Sequence, residues 1–384
     1  MIYLDNAATS FPKPTSVTDE MTRCMRQYCG NPGRGSHRLA MEAAEKIFEC
    51  RSEISSFFGS ANPENVIFTV NTTMALNIAI KGLLRKGDHV LISDMEHNAV
   101  FRPIYKMASE GKITYDIFPS LLKDPRSNAV RVCAGIARLV KPNTRMLICS
   151  HASNICSYHF PLEEIGAFCK RHGILFVVDG AQSAGHLSID IQKMQIDALC
   201  VPGHKGLLGP QGSGFLLFGE GIMADTLIEG GSGYHSLDGA MPMEAPERYE
   251  AGTLATPAIV GLGEGLREVK RLGVEKIFHH ISSLNSRLQK NLQQLPKVTV
   301  YAAQHLGSVL LFNIEGFSAD EVGAALDRLG FCVRAGFHCA ALGHTTLGTS
   351  SGGAVRVSPG IFNTNAHIDA FSTAVEGILS ARSY

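Results

Sequence analysis

The chain has 384 residues, of which 35 are basic and 35 acidic, so its formal net charge is zero. This length allows a large core and is typical of two domains, whereas the balanced charge argues against a general nucleic-acid or anionic-membrane surface. No apolar stretch reaches the roughly 18 residues of a membrane span, and the first residues, MIYLDNAATSFPKP, lack the basic and apolar regions of a secretory signal. We therefore expect a cytoplasmic protein with reduced thiols.

From about residue 64 the chain alternates short apolar runs with helical patterns. The predicted strands are VIFTV (66–70), HVLISD (89–94), ITYDIF (113–118), RMLICS (145–150), ILFVVDG (174–180), DALCVPG (197–203) and SGFLLFG (213–219). Pro161 and Gly173 mark the two ends of one intervening helix. Because these runs are continuously apolar rather than alternating, we expect an α/β fold whose mainly parallel sheet is covered by helices on both faces.

The last third of the chain has a different pattern. A helical stretch at about 274–294 precedes the apolar runs VTVYA and SVLLFNIEG, and SADE (318–321) predicts a capping box that opens the next helix. Two further strand-like runs and a closing helix at about 366–381 complete a smaller α+β domain. We expect a large domain at 13–260 and a small domain made of 1–12 and 261–384, with the glycine-rich 229–246 as an exposed loop or hairpin.

Polar side chains follow the predicted strands at the end where open α/β sheets bind ligands. Asp179 closes LFVVD with Gln182 three residues on, His204 and Lys205 follow ALCVPG, and Asn154 follows MLICSHAS. Pyridoxal 5′-phosphate (PLP) needs a lysine for a Schiff base and a carboxylate for its ring nitrogen. A turn would explain the aspartate alone and a solvated position the lysine alone, but the pair at successive strand ends favours a PLP site.

A phosphate group would need backbone N–H groups at the start of a helix, with hydroxyls nearby. Thr72 and Thr73, in NTT after the first predicted strand, provide this combination, although the same residues could simply cap the helix. The glycine-rich GHKGLLGPQGSG is not a P-loop, because no Gly-Lys-Ser/Thr closes it.

A series of motifs in chain order resembles a known family of PLP enzymes. The motifs are YLDNAAT (3–9), GSHRLA (35–40), MEHNAV (95–100), SHASN (150–154), VDGAQS (178–183), GHKGLLGPQG (203–212), RYEAGT (248–253), RAGFHCA (334–340) and VRVSPGIFNT (355–364). Together they resemble the class V aminotransferase-fold enzymes, specifically the SUF-type cysteine desulfurases and related selenocysteine lyases. The resemblance spans nearly the whole chain and implies the PLP-dependent transferase fold type I and a homodimer with its site at the interface.

The same resemblance implies roles for the matching residues. Those expected to hold PLP are Lys205 by a Schiff base, His97 stacked on the ring, Asp179 at the ring nitrogen, Gln182 at the ring hydroxyl, and Thr72, Thr73, His204 and a second subunit's Thr253 at the phosphate. Those expected at the substrate are Asn154 and Arg356 on its carboxylate, with His37 and Arg334 lining the pocket. A guanidinium fork suits bidentate binding of a carboxylate.

Cys339, within RAGFHCAALGH (334–344), would be the nucleophile. With L-cysteine or a related amino acid bound, Lys205 would remove the α-proton while PLP stores the electrons. The Cys339 thiolate would then take the substrate sulfur as a persulfide and leave L-alanine. Arg334 and His338 are expected to supply positive charge that favours the thiolate.

The surroundings of Cys339 leave one rival interpretation. Gly336 and Gly343 suit a loop that moves during the reaction. His338, Cys339 and His344 would instead suit a metal ion, but no fourth ligand is close in sequence, and the chain has no C-x-x-C pair. We therefore expect no metal.

The chain departs from the family pattern at four places. Pro202 stands where these enzymes usually carry a phosphate-binding serine or threonine, so we expect a compensating donor or weaker PLP retention. ICSY (155–158) replaces a glycine and a small hydroxyl residue and is expected to reshape the pocket floor. Phe337 replaces a second histidine, and 229–246 is short for the hairpin that covers a partner's site.

The leading hypothesis is a PLP-dependent cysteine desulfurase that passes sulfur to an acceptor protein. A selenocysteine lyase, a cysteine-sulfinate desulfinase or another PLP lyase of the same fold stays open. A non-catalytic binding scaffold is the third possibility, and the joint presence of Lys205, Asp179, His97 and Arg356 argues against it.

Overall fold

The computed structural model describes residues 1–33, 35–302, 304–305 and 307–381. The helices are α1 (Thr15–Gln27), α2 (Arg38–Phe57), α3 (Thr72–Leu83), α4 (Asn98–Ser109), α5 (Ala129–Ala137), α6 (Leu162–His172), α7 (Thr256–Leu272), α8 (Val274–Gln293), α9 (Ala319–Arg328), α10 (Ala341–Leu347) and α11 (Asn365–Ala381). The strands are β1 (Ile2–Tyr3), β2 (Val66–Thr69), β3 (His89–Ser93), β4 (Thr114–Phe118), β5 (Thr144–Ser150), β6 (Leu175–Asp179), β7 (Ala198–Pro202), β8 (Gly214–Phe218), β9 (Val298–Tyr301), β10 (Leu310–Ile314), β11 (Phe331–Cys332), β12 (Arg334–Gly336) and β13 (Ala354–Val357).

The large sheet has the strand order β2-β8-β7-β6-β5-β3-β4. The strands from β4 to β7 pair in parallel, and β8 runs antiparallel to both of its neighbours. Along β3, Val90 and Ile92 belong to one buried apolar cluster and Leu91 to another. Because successive side chains of a strand point to opposite faces, both faces of the sheet are covered. The predicted α/β fold with a mainly parallel, sandwiched sheet is confirmed.

A second, antiparallel sheet has the order β12-β13-β10-β9, and β1 pairs in parallel with β11. Leu4 packs in the same core as apolar residues of α8, α9 and α11. Helix α7 runs across the expected boundary at 260, with Ile259, Leu262 and Leu266 in a core that also faces the large sheet. The exact division into two domains stays a prediction.

Local signals in the sequence were reliable. Pro161 precedes α6, and Gly173 ends it with a left-handed φ of 64°. Ser318 and Glu321 form the predicted capping box of α9. Residues 229–246 are a mainly exposed loop. In the part of the chain that the structure describes, no helix has the length and apolar character needed to cross a membrane.

Candidate active site

A cavity of about 200 Å³ lies at the carboxyl ends of β5, β6 and β7. Its lining combines residues after these strands with the first turns of α3 and α4. The lining residues are Ala8, Asn71, Thr72, Thr73, His97, Ala99, Ser150, Ala152, Asn154, Asp179, Ala181, Gln182, Pro202, His204 and Lys205. The structure thus brings together all the candidate cofactor residues except Thr253, along with Asn154 from the substrate group.

Lys205 and Asp179 form the charged pair of the cavity. Burial lowers the pKa of Lys205 to about 8; the Asp179 charge opposes this shift, and the guanidinium groups of Arg356 and Arg334 reinforce it. Burial raises the pKa of Asp179, against the opposing effects of a 2.9 Å hydrogen bond from the Ala181 N–H and of the Lys205 charge. A lysine with a lowered pKa carries more neutral amine at physiological pH, which is the form that attacks a carbonyl carbon.

The backbone after Lys205 packs closely against the turn that follows Asp179. A Cβ at Gly206 would lie 2.2 Å from the Ala184 carbonyl oxygen, and one at Gly185 would lie 2.3 Å from the Gly206 carbonyl oxygen. Gly185 also has a φ of 85°, in the left-handed region that favours glycine. These glycines let the two strand-end loops approach each other, which places the lysine and the aspartate in one cavity.

One end of the cavity is suited to an anion. Asn71 caps α3, since its side chain accepts a 2.9 Å hydrogen bond from the Met74 N–H. The threonines are therefore not needed as caps, and Thr72 Oγ1 is buried without a partner among the residues that the structure describes. His204 Nδ1 is likewise buried and unpartnered, and burial lowers the pKa of this histidine to about 4. An unsatisfied hydroxyl at the N-terminus of α3 and an unsatisfied ring nitrogen after β7, both in this cavity, fit the phosphate of PLP.

Pro202 also lines this cavity, where the family usually has a hydroxyl donor. Among the cavity's polar atoms, Thr72 Oγ1 and His204 Nδ1 are buried and have no partner in the described residues. They are the candidates for the compensating donors that the sequence led us to expect.

His97 projects into the cavity from the start of α4. Its Nδ1 accepts a 3.0 Å hydrogen bond from the Ala99 N–H. Burial, reinforced by the nearby Lys205 charge, lowers the pKa of His97 to about 4. The ring is therefore neutral at physiological pH, which suits stacking on an aromatic ring. Gln182 lies on the cavity wall and donates a 2.9 Å hydrogen bond to the Ala7 carbonyl.

Glu96, which supports the cavity wall without lining it, was missed by sequence reasoning. It is fully buried and accepts hydrogen bonds from the Ser93 hydroxyl, the Ser150 N–H (2.9 Å) and the Ser150 hydroxyl (3.0 Å). Burial raises its pKa to about 8. These bonds tie the turn that carries His97 to the end of β5. An acidic residue directly before His97 in MEHNAV was the available signal.

Arg356 lies on β13 with 1% of its surface exposed. Its Nη2 forms a 2.7 Å ion pair with Asp5, and its Nη1 donates a 3.1 Å hydrogen bond to the Asn154 carbonyl. Its Nε is buried and has no partner in the described part of the chain. Arg334 on β12 is directly opposite Arg356 in the antiparallel pair. The two guanidinium-bearing residues therefore sit side by side, as a carboxylate site needs. Asp5 was missed, although it belongs to the motif YLDNAAT.

The segment around Cys339 is joined to the cavity wall by two hydrogen bonds. The Asn154 side chain donates to the His338 carbonyl (2.8 Å), and the Asn98 N–H donates to the Cys339 carbonyl (2.7 Å). Cys339 itself is exposed. The expectation that His338 carries a positive charge is wrong. Burial, reinforced by the charge of Arg356, lowers the pKa of His338 to about 3. The histidine is therefore neutral.

The rival metal interpretation has no support in this geometry. His338 and His344 hydrogen-bond each other, and their remaining ring nitrogens bond the Arg334 carbonyl and the Thr349 hydroxyl. All four ring nitrogens are thus occupied. Among the residues that the structure describes, no group of three or more His, Cys, Asp or Glu side chains is arranged to hold a metal ion.

Other sequence-predicted residues lie away from the cavity. His37 is exposed and caps α2, where its Nδ1 accepts from the Ala40 N–H (3.4 Å), and Thr253 is exposed in the loop before α7. Residues 155–158, which were expected to reshape the pocket floor, do not line this cavity themselves. Their apolar side chains belong to the core, and the Ser157 hydroxyl donates a 2.7 Å hydrogen bond to the Val309 carbonyl.

The fold and cavity define a PLP enzyme of the transferase fold type I. The chain matches the family described as aminotransferase class-V over residues 2–371 and belongs to that family. It is 33% identical to the probable cysteine desulfurase of Methanothermobacter thermautotrophicus, over 98% of this chain and 94% of the relative. It is 32% identical to the cysteine desulfurase of Salmonella agona, over 96% of this chain and 91% of that relative.

Solved structures of cysteine desulfurases are also similar to this chain. The apo cysteine desulfurase from Thermococcus onnurineus NA1 is similar with a TM-score of 0.89 and 30% identity, over 99% of this chain and 95% of that one. The cysteine desulfurase CsdA (S-sulfonic acid) from Escherichia coli is similar with a TM-score of 0.87 and 26% identity, over 99% and 94%.

Proposed function

We propose that this protein is a PLP-dependent cysteine desulfurase, which converts L-cysteine to L-alanine and takes the sulfur on Cys339 as a persulfide. One observation carries the proposal. A single cavity contains Lys205, Asp179 and two polar atoms without a partner among the described residues, Thr72 Oγ1 and His204 Nδ1, and a loop with an exposed cysteine is hydrogen-bonded to its wall. The names of the relatives support the same activity.

The cavity residues fit PLP. Thr72, Thr73 and His204 would bind the phosphate, and Asp179 would accept a hydrogen bond from the ring nitrogen. The remaining contacts would come from the neutral His97 ring on the cofactor face, Gln182 at the ring hydroxyl and the Lys205 amine at the aldehyde carbon. When bound, PLP supplies a conjugated ring that delocalises the electrons left on the substrate α-carbon.

The protein's own groups would carry the remaining steps. The unpartnered Nε of Arg356 and the side chain of Asn154 would hold the substrate carboxylate, with Arg334 adding positive charge beside them. Lys205 would accept the α-proton and later return a proton. The Cys339 thiolate would attack the substrate sulfur, so that the S–S bond forms as the C–S bond breaks. L-cysteine and one thiol thus give L-alanine and one persulfide.

We also propose a homodimer in a cytoplasmic setting. Thr253 and His37 are exposed in the single chain and do not line its own cavity, as expected if they complete the site of a second copy. All ten cysteines are free thiols, which suits a reducing compartment. The exposed Cys339 would be within reach of an acceptor protein's thiol.

The test is alanine release from L-cysteine by the PLP-loaded protein, with and without a reductant, and with mass analysis of the Cys339 peptide. Wild type should form alanine and a persulfide, whereas Cys339→Ala and Lys205→Ala should form neither. Cys29→Ala is the matched control, since Cys29 is another exposed cysteine. Equal alanine from wild type and Cys339→Ala would refute the role of Cys339. Faster turnover of L-selenocysteine or L-cysteine sulfinate would identify the substrate instead.

A further inference from the structure

Cys339 lies in a strained turn. The Ala340 N–H donates a 2.9 Å hydrogen bond to the Phe337 carbonyl, and the two central residues, His338 and Cys339, have φ values of 51° and 55°. Two consecutive left-handed residues define a type I′ turn, which normally carries glycine, asparagine or aspartate. A non-glycine residue persists in this region only where its surroundings hold it. We call Phe337–Ala340 the cysteine turn.

A buried chain of hydrogen bonds leads away from this turn. His338 Nε2 is 3.0 Å from the Arg334 carbonyl oxygen, His338 Nδ1 is 3.2 Å from His344 Nε2, and His344 Nδ1 is 2.6 Å from the Thr349 hydroxyl. The three side chains are 4%, 1% and 3% exposed. We call His338, His344 and Thr349 the histidine array.

Donors and acceptors can be assigned along the hydrogen bonds of the histidine array. A carbonyl only accepts, so His338 Nε2 carries the proton, and Nδ1 of the neutral ring accepts from His344 Nε2. His344 Nδ1 must then accept from Thr349, which is the terminal donor. The Arg334 carbonyl thus selects the tautomer of both histidines, and the Thr349 hydroxyl ends the chain as the donor that holds the His344 ring. The two rings are stacked with 14° between their planes.

We propose that His344 and Thr349 are positioning residues, which act through His338 to hold the cysteine turn so that the Cys339 thiol faces the substrate sulfur. The proposal rests on the proposed desulfurase function. Neither residue lines the cavity. Their effect would pass through His338, whose carbonyl is bound by Asn154, and through the adjacent Cys339, whose carbonyl is bound by the Asn98 N–H.

The substitution Thr349→Val tests the array, because valine keeps the shape and removes the donor. We expect kcat for L-cysteine to fall about 3- to 10-fold, as one neutral hydrogen bond predicts, with KM unchanged within about twofold. Amide hydrogen exchange in 337–341 should become faster by a similar factor. Thr349→Ser should restore both values. Thr345→Val is the matched control, since the Thr345 hydroxyl is exposed and bonds within its own helix (3.1 Å to the Ala341 carbonyl).

The outcomes separate this inference from the proposed function. Thr349→Val with wild-type kcat and wild-type exchange would overturn it, as would equal losses in Thr345→Val or a failure of Thr349→Ser to restore activity. Thr349→Ala gives the same comparison if the valine variant does not fold. Should wild type release no alanine from L-cysteine, the proposed function fails, while hydrogen exchange in 337–341 still tests whether the array holds the turn.

Discussion

The Lys205 amine offers a quantitative test of the cavity's electrostatics. A pKa lowered from 10.5 to about 8 raises the neutral fraction at pH 7 from about 0.03% to about 9%, a gain of roughly 300-fold. Two neighbours shift this value in opposite directions. Asp179→Asn removes a charge that raises the Lys205 pKa and should lower it further, whereas Arg334→Met removes a charge that lowers it and should raise it.

The assay is trace acetylation of the cofactor-free protein with acetic anhydride between pH 6 and pH 11, with Lys205 quantified by mass spectrometry. Because only the neutral amine reacts, the labelling rate should rise with pH to a plateau with a midpoint near 8. The exposed Lys86 provides an internal reference for reagent decay. A wild-type midpoint near 10.5, or one that neither substitution moves, would refute the electrostatic reasoning.

Three further predictions concern the cofactor site and the core. Thr72→Val should weaken PLP binding about 10- to 100-fold, through the loss of a hydrogen bond to a charged group, and leave binding of pyridoxal, which lacks the phosphate, unchanged in parallel titrations. Pro202→Ser adds a hydroxyl to the cavity wall and should tighten PLP binding about 3- to 10-fold; an unchanged Kd after dialysis would show that no donor is missing there. Glu250→Ala leaves Arg51 buried without its bidentate partner (2.8 and 2.9 Å) and the Phe68 N–H without an acceptor, and it should lower the free energy of unfolding in urea by about 3–5 kcal/mol. The double variant Arg51→Met/Glu250→Leu should lose clearly less, and an equal loss would contradict the explanation by an unpaired charge.

The parts of the site that sequence predicted well depend on local patterns. Continuous apolar runs located β6 and β7. Asp179 at the end of β6 and Lys205 shortly after β7 therefore had to meet at one edge of the sheet. The same local patterns could not show whether the residues at the start of α3 cap the helix or bind a phosphate. Only the structure distinguishes Asn71, which caps the helix, from Thr72, whose hydroxyl is left free.

The parts that were missed depend on contacts between distant segments. Asp5 meets Arg356, and Glu96 meets Ser150, through folding that no local pattern encodes. The charge of His338 was mispredicted for the same reason, because its protonation depends on burial rather than on its neighbours in sequence. Helix α5 was also not predicted; Asn128 caps it by accepting a hydrogen bond from the Arg131 N–H.

The ion pair between Asp5 and Arg356 has a consequence for the order of folding during synthesis. Its two residues are 351 positions apart, so during synthesis Asp5 has no Arg356 to pair with until 351 further residues have been added. Strand β6, which ends at Asp179, and strand β7, which precedes Lys205, are synthesised much earlier. They pair with each other, and β6 pairs with β5, which is also nearby in sequence. The PLP-binding half of the site would therefore assemble first, and the carboxylate-binding half would form only after Arg356 has been synthesised.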